Sequence, residues 1–151
     1  QYSAKSDTEK LKRDVIERNL SDRLFVFEKI SYSFLRFLLQ HASAYAGLVD
    51  SSWQPAGWTV ACEALSSGIP AVLYEGITSR ELQNINVPEE VMRVVPIGDV
   101  DTFSERLVEI IQSNFSSKLS SKAAEFASEQ LDFHQTTPDF VRQIEKLVEK
   151  T

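Results

Sequence analysis

Apolar positions along this chain follow two rhythms, short continuous runs and helical recurrence, and the two alternate. Leu11, Val15 and Ile16 recur at helical spacing after Ser6-Asp7-Thr8-Glu9, which has the spacing of a capping box with Ser6 as N-cap and Glu9 at N3. Asn19 supplies a left-handed stop. Leu24-Phe25-Val26-Phe27 then reads as a short buried strand. Ser31 caps a second helix carrying Phe34, Leu35, Leu38 and Leu39, and Tyr45-Ala46-Gly47-Leu48-Val49 is the next strand. A polar loop over 51–57 leads into a helix over about 58–66, a stop at Gly68 and the strand Pro70-Ala71-Val72-Leu73-Tyr74. A short helix over 79–84 precedes the strand Met92-Arg93-Val94-Val95. Asp101 or Thr102 opens an amphipathic helix with Phe103, Leu107, Ile110 and Ile111 on one face. A polar helix over about 117–129 follows, and Thr137-Pro138, an N-cap with Pro at N1, starts a last one bearing Val141, Ile144, Leu147 and Val148.

Short apolar strands alternating with amphipathic helices are the mark of right-handed crossovers and a parallel sheet. The expected fold is therefore α/β, a Rossmann-like parallel sheet of four short strands with helices on both faces. No internal repeat and no low-complexity linker interrupts it. The length, 151 residues, suits one domain.

Composition narrows the partners. Lys plus Arg is 16 against Asp plus Glu 22, a formal charge of −6, which argues against nucleic acid because phosphate neutralisation needs a basic surface. A small anionic ligand held by a few backbone amides remains compatible with that balance. Cys62 is the single cysteine, so no intramolecular disulfide can form, and a reducing, cytoplasmic setting is expected. His41 and His134 stand far apart without ligand spacing, so no metal site is expected. No apolar stretch approaches the length of a membrane span, and the start of the chain is not a secretory signal. Gln1 in place of an initiator Met points to a longer protein.

In an open parallel sheet, ligands bind beyond the carboxyl ends of the strands, where loops enter helix N-termini. The richest such loop is Asp50-Ser51-Ser52-Trp53-Gln54-Pro55-Ala56-Gly57-Trp58-Thr59. It delivers the chain into a helix whose first turn has orphan N–H groups and a partial positive charge. Gly57 removes a side chain where a phosphate needs backbone access. Glu63, one and a half turns in, could accept hydrogen bonds from a ribose diol. Each feature also has a plainer reading: Gly57 as a turn, Glu63 as a solvated carboxylate, Trp53 and Trp58 as packing residues. Cys62, between alanines, reads as a small core residue, and His134 as a surface or cap residue. There is no Gly-x-Gly-x-x-Gly, no Gly-Lys-Ser/Thr and no nucleophile elbow.

The stretch Gly57-Trp58-Thr59-Val60-Ala61-Cys62-Glu63-Ala64-Leu65-Ser66-Ser67-Gly68-Ile69-Pro70-Ala71-Val72 is similar to the Glu-Ala-x-x-x-Gly-x-Pro-Val core of GT-B glycosyltransferases of the retaining, family 4 (group 1) type. Glu81 falls where that family often carries another Glu, and Pro96-Ile97-Gly98-Asp99 resembles its Pro-x-Gly-Asp turn. The resemblance covers nearly the whole chain. It implies the donor-binding, C-terminal part of a nucleotide-sugar-dependent transferase, with the acceptor domain outside this chain. Ser51, Ser52 and the amides of Gly57, Trp58 and Thr59 would hold a diphosphate, Glu63 the ribose, and Glu81 would support the loop near the sugar. No cofactor and no metal are implied, and no catalytic residue is assigned.

Three departures shape this expectation. The family's Glu-x7-Glu motif would place its first Glu, which contacts the donor sugar, at Pro55. Ala56-Gly57-Trp58 departs from the usual Gly-aromatic-Gly order. The family's first two strands, with their basic phosphate contacts, are absent, and in a 3-2-1-4-5-6 order they would lie between Leu24–Phe27 and Tyr45–Val49. An upstream portion of the same protein, or self-association, is expected to fill that gap. Pro55 keeps open a non-catalytic transferase-like subunit, and Thr78-Ser79-Arg80-Glu81 a hydrolysing nucleotide-sugar 2-epimerase.

Overall fold

The computed structural model describes residues 4–49, 53–114 and 117–132, with Pro138 and Arg142 beyond them. In chain order the elements are α1 (Ala4–Glu17), α2 (Tyr32–His41), β1 (Tyr45–Gly47), α3 (Trp58–Ser66), β2 (Ala71–Tyr74), α4 (Ile77–Asn84), β3 (Met92–Val95), α5 (Val100–Asn114) and α6 (Ser117–Gln130). The chain divides into two compact units, Gln1–Arg36 and Phe37–Thr151, with the boundary inside α2. The closing helix expected from Thr137 lies outside the described residues, apart from Pro138 and Arg142, which are helical.

In the first unit α1 begins at Ala4, so Ser6 lies inside the helix rather than at its cap. Asn19, with φ 55°, is the left-handed stop that its side chain favours. Val15 is buried, whereas Leu11 and Ile16 stay exposed. Lys12 reaches Glu28 at 2.8 Å, an exposed pair of small energetic weight. The Ser31 hydroxyl accepts the Phe34 N–H at 3.3 Å, the expected cap of α2.

The strand expected at Leu24–Phe27 does not form. Arg23 and Leu24 donate to the Leu20 carbonyl in a turn, and Phe25 is 67% exposed. An apolar run becomes a strand only by hydrogen bonding to a neighbour, and no described strand lies alongside this one. Phe27 instead sets its ring edge-on to Phe34, with centroids 5.2 Å apart. The sheet accordingly has three strands rather than four.

In the second unit all pairings are parallel, in the order β1-β2-β3, with Gly47 opposite Leu73 and Leu73 opposite Val94. The three strands form one continuous sheet, adjacent as the 4-5-6 end of the expected strand order places them. β1 stops at Gly47, short of Val49, and Leu48 and Val49 leave the sheet exposed. β2 is central and its Ala71, Val72 and Leu73 are buried. Ala71 and Leu73 face a core shared with Ala61 and Leu65 of α3, Leu82 of α4, and Ala123, Phe126 and Ala127 of α6. Val72 and Tyr74 face Phe103, Leu107 and Ile110 of α5 on the other side. Burying the apolar side chains of β2 supplies about 1.5–3 kcal/mol for each large one. Helices thus cover both faces, and the fold is an α/β, Rossmann-like parallel sheet.

Two details lock the layers. A Cβ on Gly68 (φ 75°) would lie 3.1 Å from the Ser120 carbonyl oxygen, so glycine permits the close approach of the α3 terminus to α6. Lys122 of α6 pairs with Glu90 at the lead-in to β3, and this hydrogen bond holds the Glu90 carboxyl below its ordinary range.

The cap of α5 is Asp99, not Asp101 or Thr102: the Asp99 carboxylate accepts the Thr102 N–H at 3.1 Å and its pKa is lowered by that bond. A depressed pKa in the folded state means stability present above the ordinary aspartate range and lost as pH falls through the folded pKa. We expect Asp99→Ala to lower the thermal midpoint by a few degrees near neutral pH. Asp99→Asn, which keeps an accepting oxygen, should retain most of it while flattening the acid limb of the melting curve. Thermal unfolding between pH 7 and 3 measures both.

Candidate functional site

Each parallel crossover must return the chain to the same end of the sheet, so β1, β2 and β3 all run out toward one edge and feed α3, α4 and α5 there. The entry to α3 is the most developed of the three. Ser51 and Ser52 lie outside the described residues. Gly57 is the N-cap, with φ 80° and no side chain across the helix end. The first helical bond runs from the Ala61 N–H to the Gly57 carbonyl at 3.0 Å. The Trp58 N–H is turned back to the Pro55 carbonyl at 3.3 Å, so one of the expected donors is engaged within the loop. Among the described residues no backbone acceptor meets the N–H groups of Gly57, Thr59 or Val60.

The side chains divide by face. Trp58 and Cys62 pack against the core together with Ala61 and Leu65. Trp58 therefore contributes its backbone, while its ring is a packing group; Trp53 by contrast is 74% exposed. Burial first, and the Glu63 charge second, push the Cys62 thiol up, which makes it an inert thiol. Thr59 and Glu63, four apart, share the face turned away from that core. No described basic side chain pairs with Glu63.

Glu81 stands exposed on α4 with no described contact to the Gly57 turn. What reaches that turn from α4 is Thr78, which donates its hydroxyl to the Ala56 carbonyl at 2.8 Å. Ser79, fully buried, accepts the Gly76 N–H at 2.9 Å, and Arg80 Nε donates to the Gly76 carbonyl at 3.2 Å. Thr78 and Arg80 are thus groups at this edge, which the sequence reading noted only within Thr78-Ser79-Arg80-Glu81 and without a role at the α3 entry. A Thr-Ser pair opening a helix just after a strand was the available signal.

Between the Gly57 turn and the ends of β1 and β2 the space is only about 10 Å³, room for roughly one water. Larger hollows, about 320 and 420 Å³, lie around β3, α5 and Arg93, away from the α3 entry. The α3 entry is therefore a shallow ledge, and among the described residues no strand pairs with the outer edge of β1.

No protein-family model matches the chain, and a comparison with curated proteins finds no sequence match. Among solved structures, a sucrose-phosphate synthase from Thermosynechococcus elongatus is similar in fold, with a TM-score of 0.75 and 20% identity over 97% of this chain. The chain spans 35% of that protein's length. The protein has a glycosyltransferase-like, Rossmann-like α/β fold.

Gly57→Ala forces a side chain into a left-handed backbone and should destabilise the fold by about 1–2 kcal/mol. Its thermal midpoint should fall while an Ala substitution at the exposed Thr59 leaves the midpoint nearly unchanged. Equal midpoints for Gly57→Ala and wild type would show that the turn relaxes without cost.

Proposed function

We propose that this chain is the donor-nucleotide-binding, C-terminal part of a GT-B glycosyltransferase of the family 4 (group 1) type, taking a nucleoside diphosphate sugar. The observation that carries the proposal is the α3 entry: a side-chain-free cap at Gly57, unaccepted N–H groups in the first turn, and Glu63 on the solvent face beyond them. The likeness to a sucrose-phosphate synthase supports it at the level of the fold. In this reading the amides of Gly57 and Thr59, with Ser51 and Ser52, receive the diphosphate at the positive end of the α3 dipole. Glu63 accepts the ribose hydroxyls, and Glu81 supports the neighbouring loop from α4. The chemistry is electrostatic: oriented N–H groups stabilise the departing nucleoside diphosphate as the sugar bond breaks.

A second reading, a non-catalytic transferase-like subunit, is favoured by Pro55. Its carbonyl accepts the Trp58 N–H, so the residue builds the turn and brings no carboxylate to the sugar. Incubation of the full-length protein with UDP-, GDP- and ADP-sugars, following nucleoside diphosphate release, separates the two. Absence of turnover with intact nucleotide binding selects the subunit. A 2-epimerised product would instead select the epimerase.

Glu63→Ala should weaken nucleoside diphosphate binding by about 1–3 kcal/mol, the scale of a charge-assisted hydrogen bond. Calorimetric titration with an unchanged affinity and an intact fold would remove Glu63 from the site.

The proposal extends to the outer edge of β1, which we take to be covered in the working protein by further strands from an upstream portion or by self-association. The two edges of the sheet differ. β3 carries Arg93, with Glu89 beside it, the kind of charge that guards an exposed edge. β1 is Tyr45-Ala46-Gly47, uncharged, and Leu48 beside it is 62% exposed. Residues 1–151 alone should self-associate in sedimentation, and Ala46→Lys should reduce this. A wild-type monomer with one sharp thermal transition would show that the edge needs no cover.

A further inference from the structure

The Ala56 carbonyl that Thr78 holds belongs to the same peptide unit as the Gly57 N–H. In a trans peptide, and none is cis among the described residues, the carbonyl and the N–H point in opposite directions. A hydrogen bond from α4 to the carbonyl therefore fixes where the Gly57 N–H aims, away from α4. It also polarises the peptide, which strengthens the N–H as a donor. Without such a bond this peptide plane would be easy to turn over, because Gly57 adopts both signs of φ readily and sits at 80°.

Other hydrogen bonds of the loop do not set this plane. Ala56 N–H to the Gln54 carbonyl, at 2.7 Å, and Trp58 N–H to the Pro55 carbonyl, at 3.3 Å, are local and engage neighbouring peptides. Thr78 reaches in from another helix, and it is well anchored. It is buried, and it sits on a first turn closed by Ser79 on the Gly76 N–H and by Arg80 on the Gly76 carbonyl. That turn follows β2 directly, so the plane at Ala56 is referred to the central strand of the sheet.

We infer that Thr78 is a positioning residue for the α3 entry: its hydroxyl locks the Ala56–Gly57 peptide so that the Gly57 N–H is held out as a preset donor to a diphosphate. The inference rests on the donor-site reading proposed above for what the N–H receives, but not for the lock itself. Threonine at this position is then required for its oxygen. Its methyl group serves packing, which valine would reproduce.

The test compares wild type, Thr78→Val and Thr78→Ser in the full chain, by amide hydrogen exchange at Gly57 and by titration with UDP, GDP and ADP. Thr78→Val should speed Gly57 exchange and weaken the binding of whichever diphosphate the wild type takes by about two- to tenfold, the net scale of one neutral hydrogen bond. Thr78→Ser should restore both toward wild type. Exchange at the β2 amides, unchanged across the three, shows that the fold is kept. Gly57 exchange unaltered in Thr78→Val, or Thr78→Ser behaving like Thr78→Val, overturns the lock. Accelerated Gly57 exchange in Thr78→Val with no nucleotide bound by the wild type keeps the lock and overturns the donor-site reading alone.

Discussion

A parallel neighbour cannot be reached by a hairpin, and the whole arrangement follows from that geometric fact. To lay β2 beside β1 in the same direction, the chain must travel back over the sheet, and α3 is the return path; α4 performs the same service between β2 and β3. β2, covered on both sides, is consequently apolar at successive positions rather than at alternate ones. The returning helices begin at one edge of the sheet, which gathers orphan N–H groups and the positive ends of helix dipoles in one place. The α3 entry has chemical character because the strands are parallel, before any side chain is considered.

This explains why the α3 entry needs few basic groups of its own. The chain is acidic overall, and at the α3 entry the positive field comes from the backbone, with Arg80 tied by its Nε to the Gly76 carbonyl nearby. Glu63 stands beyond the first turn of α3, on the face turned away from the core.

Much of this was legible in the sequence, for reasons that differ by element. β2 and β3 could be read because their burial is written in their own residues, and α5 because Phe103, Leu107 and Ile110 repeat at helical spacing. Gly57 could be read because a left-handed cap suits glycine. Leu24–Phe27 misled because a strand is a relation between two segments, and composition records only one of them. Asp99 displaced Asp101 as the cap of α5 through an offset of the kind that pattern alone does not resolve. The role of Thr78 was hidden for the opposite reason: its contact joins residues 22 apart, and the local sequence marks only a Thr-Ser pair at a helix start. Glu81, picked out by resemblance, has no described part in the Gly57 turn, whereas Thr78, three residues before it, does.

The close seating of Gly68 against Ser120 has a consequence for the order in which the molecule can be made. α3 is flanked on its inner side by β1 and β2, but its core residues Ala61 and Leu65 also belong to a cluster that Ala123 and Phe126 complete. These partners come from α6, which emerges from the ribosome long after α3. Until then the helix that carries Glu63 lacks its partners on the α6 side. The N-terminal strands of such a sheet can pair early, but the α3 entry takes its final form only after nearly all of the described chain has been synthesised. A nascent chain stopped short of α6 would present a sheet without a finished ledge.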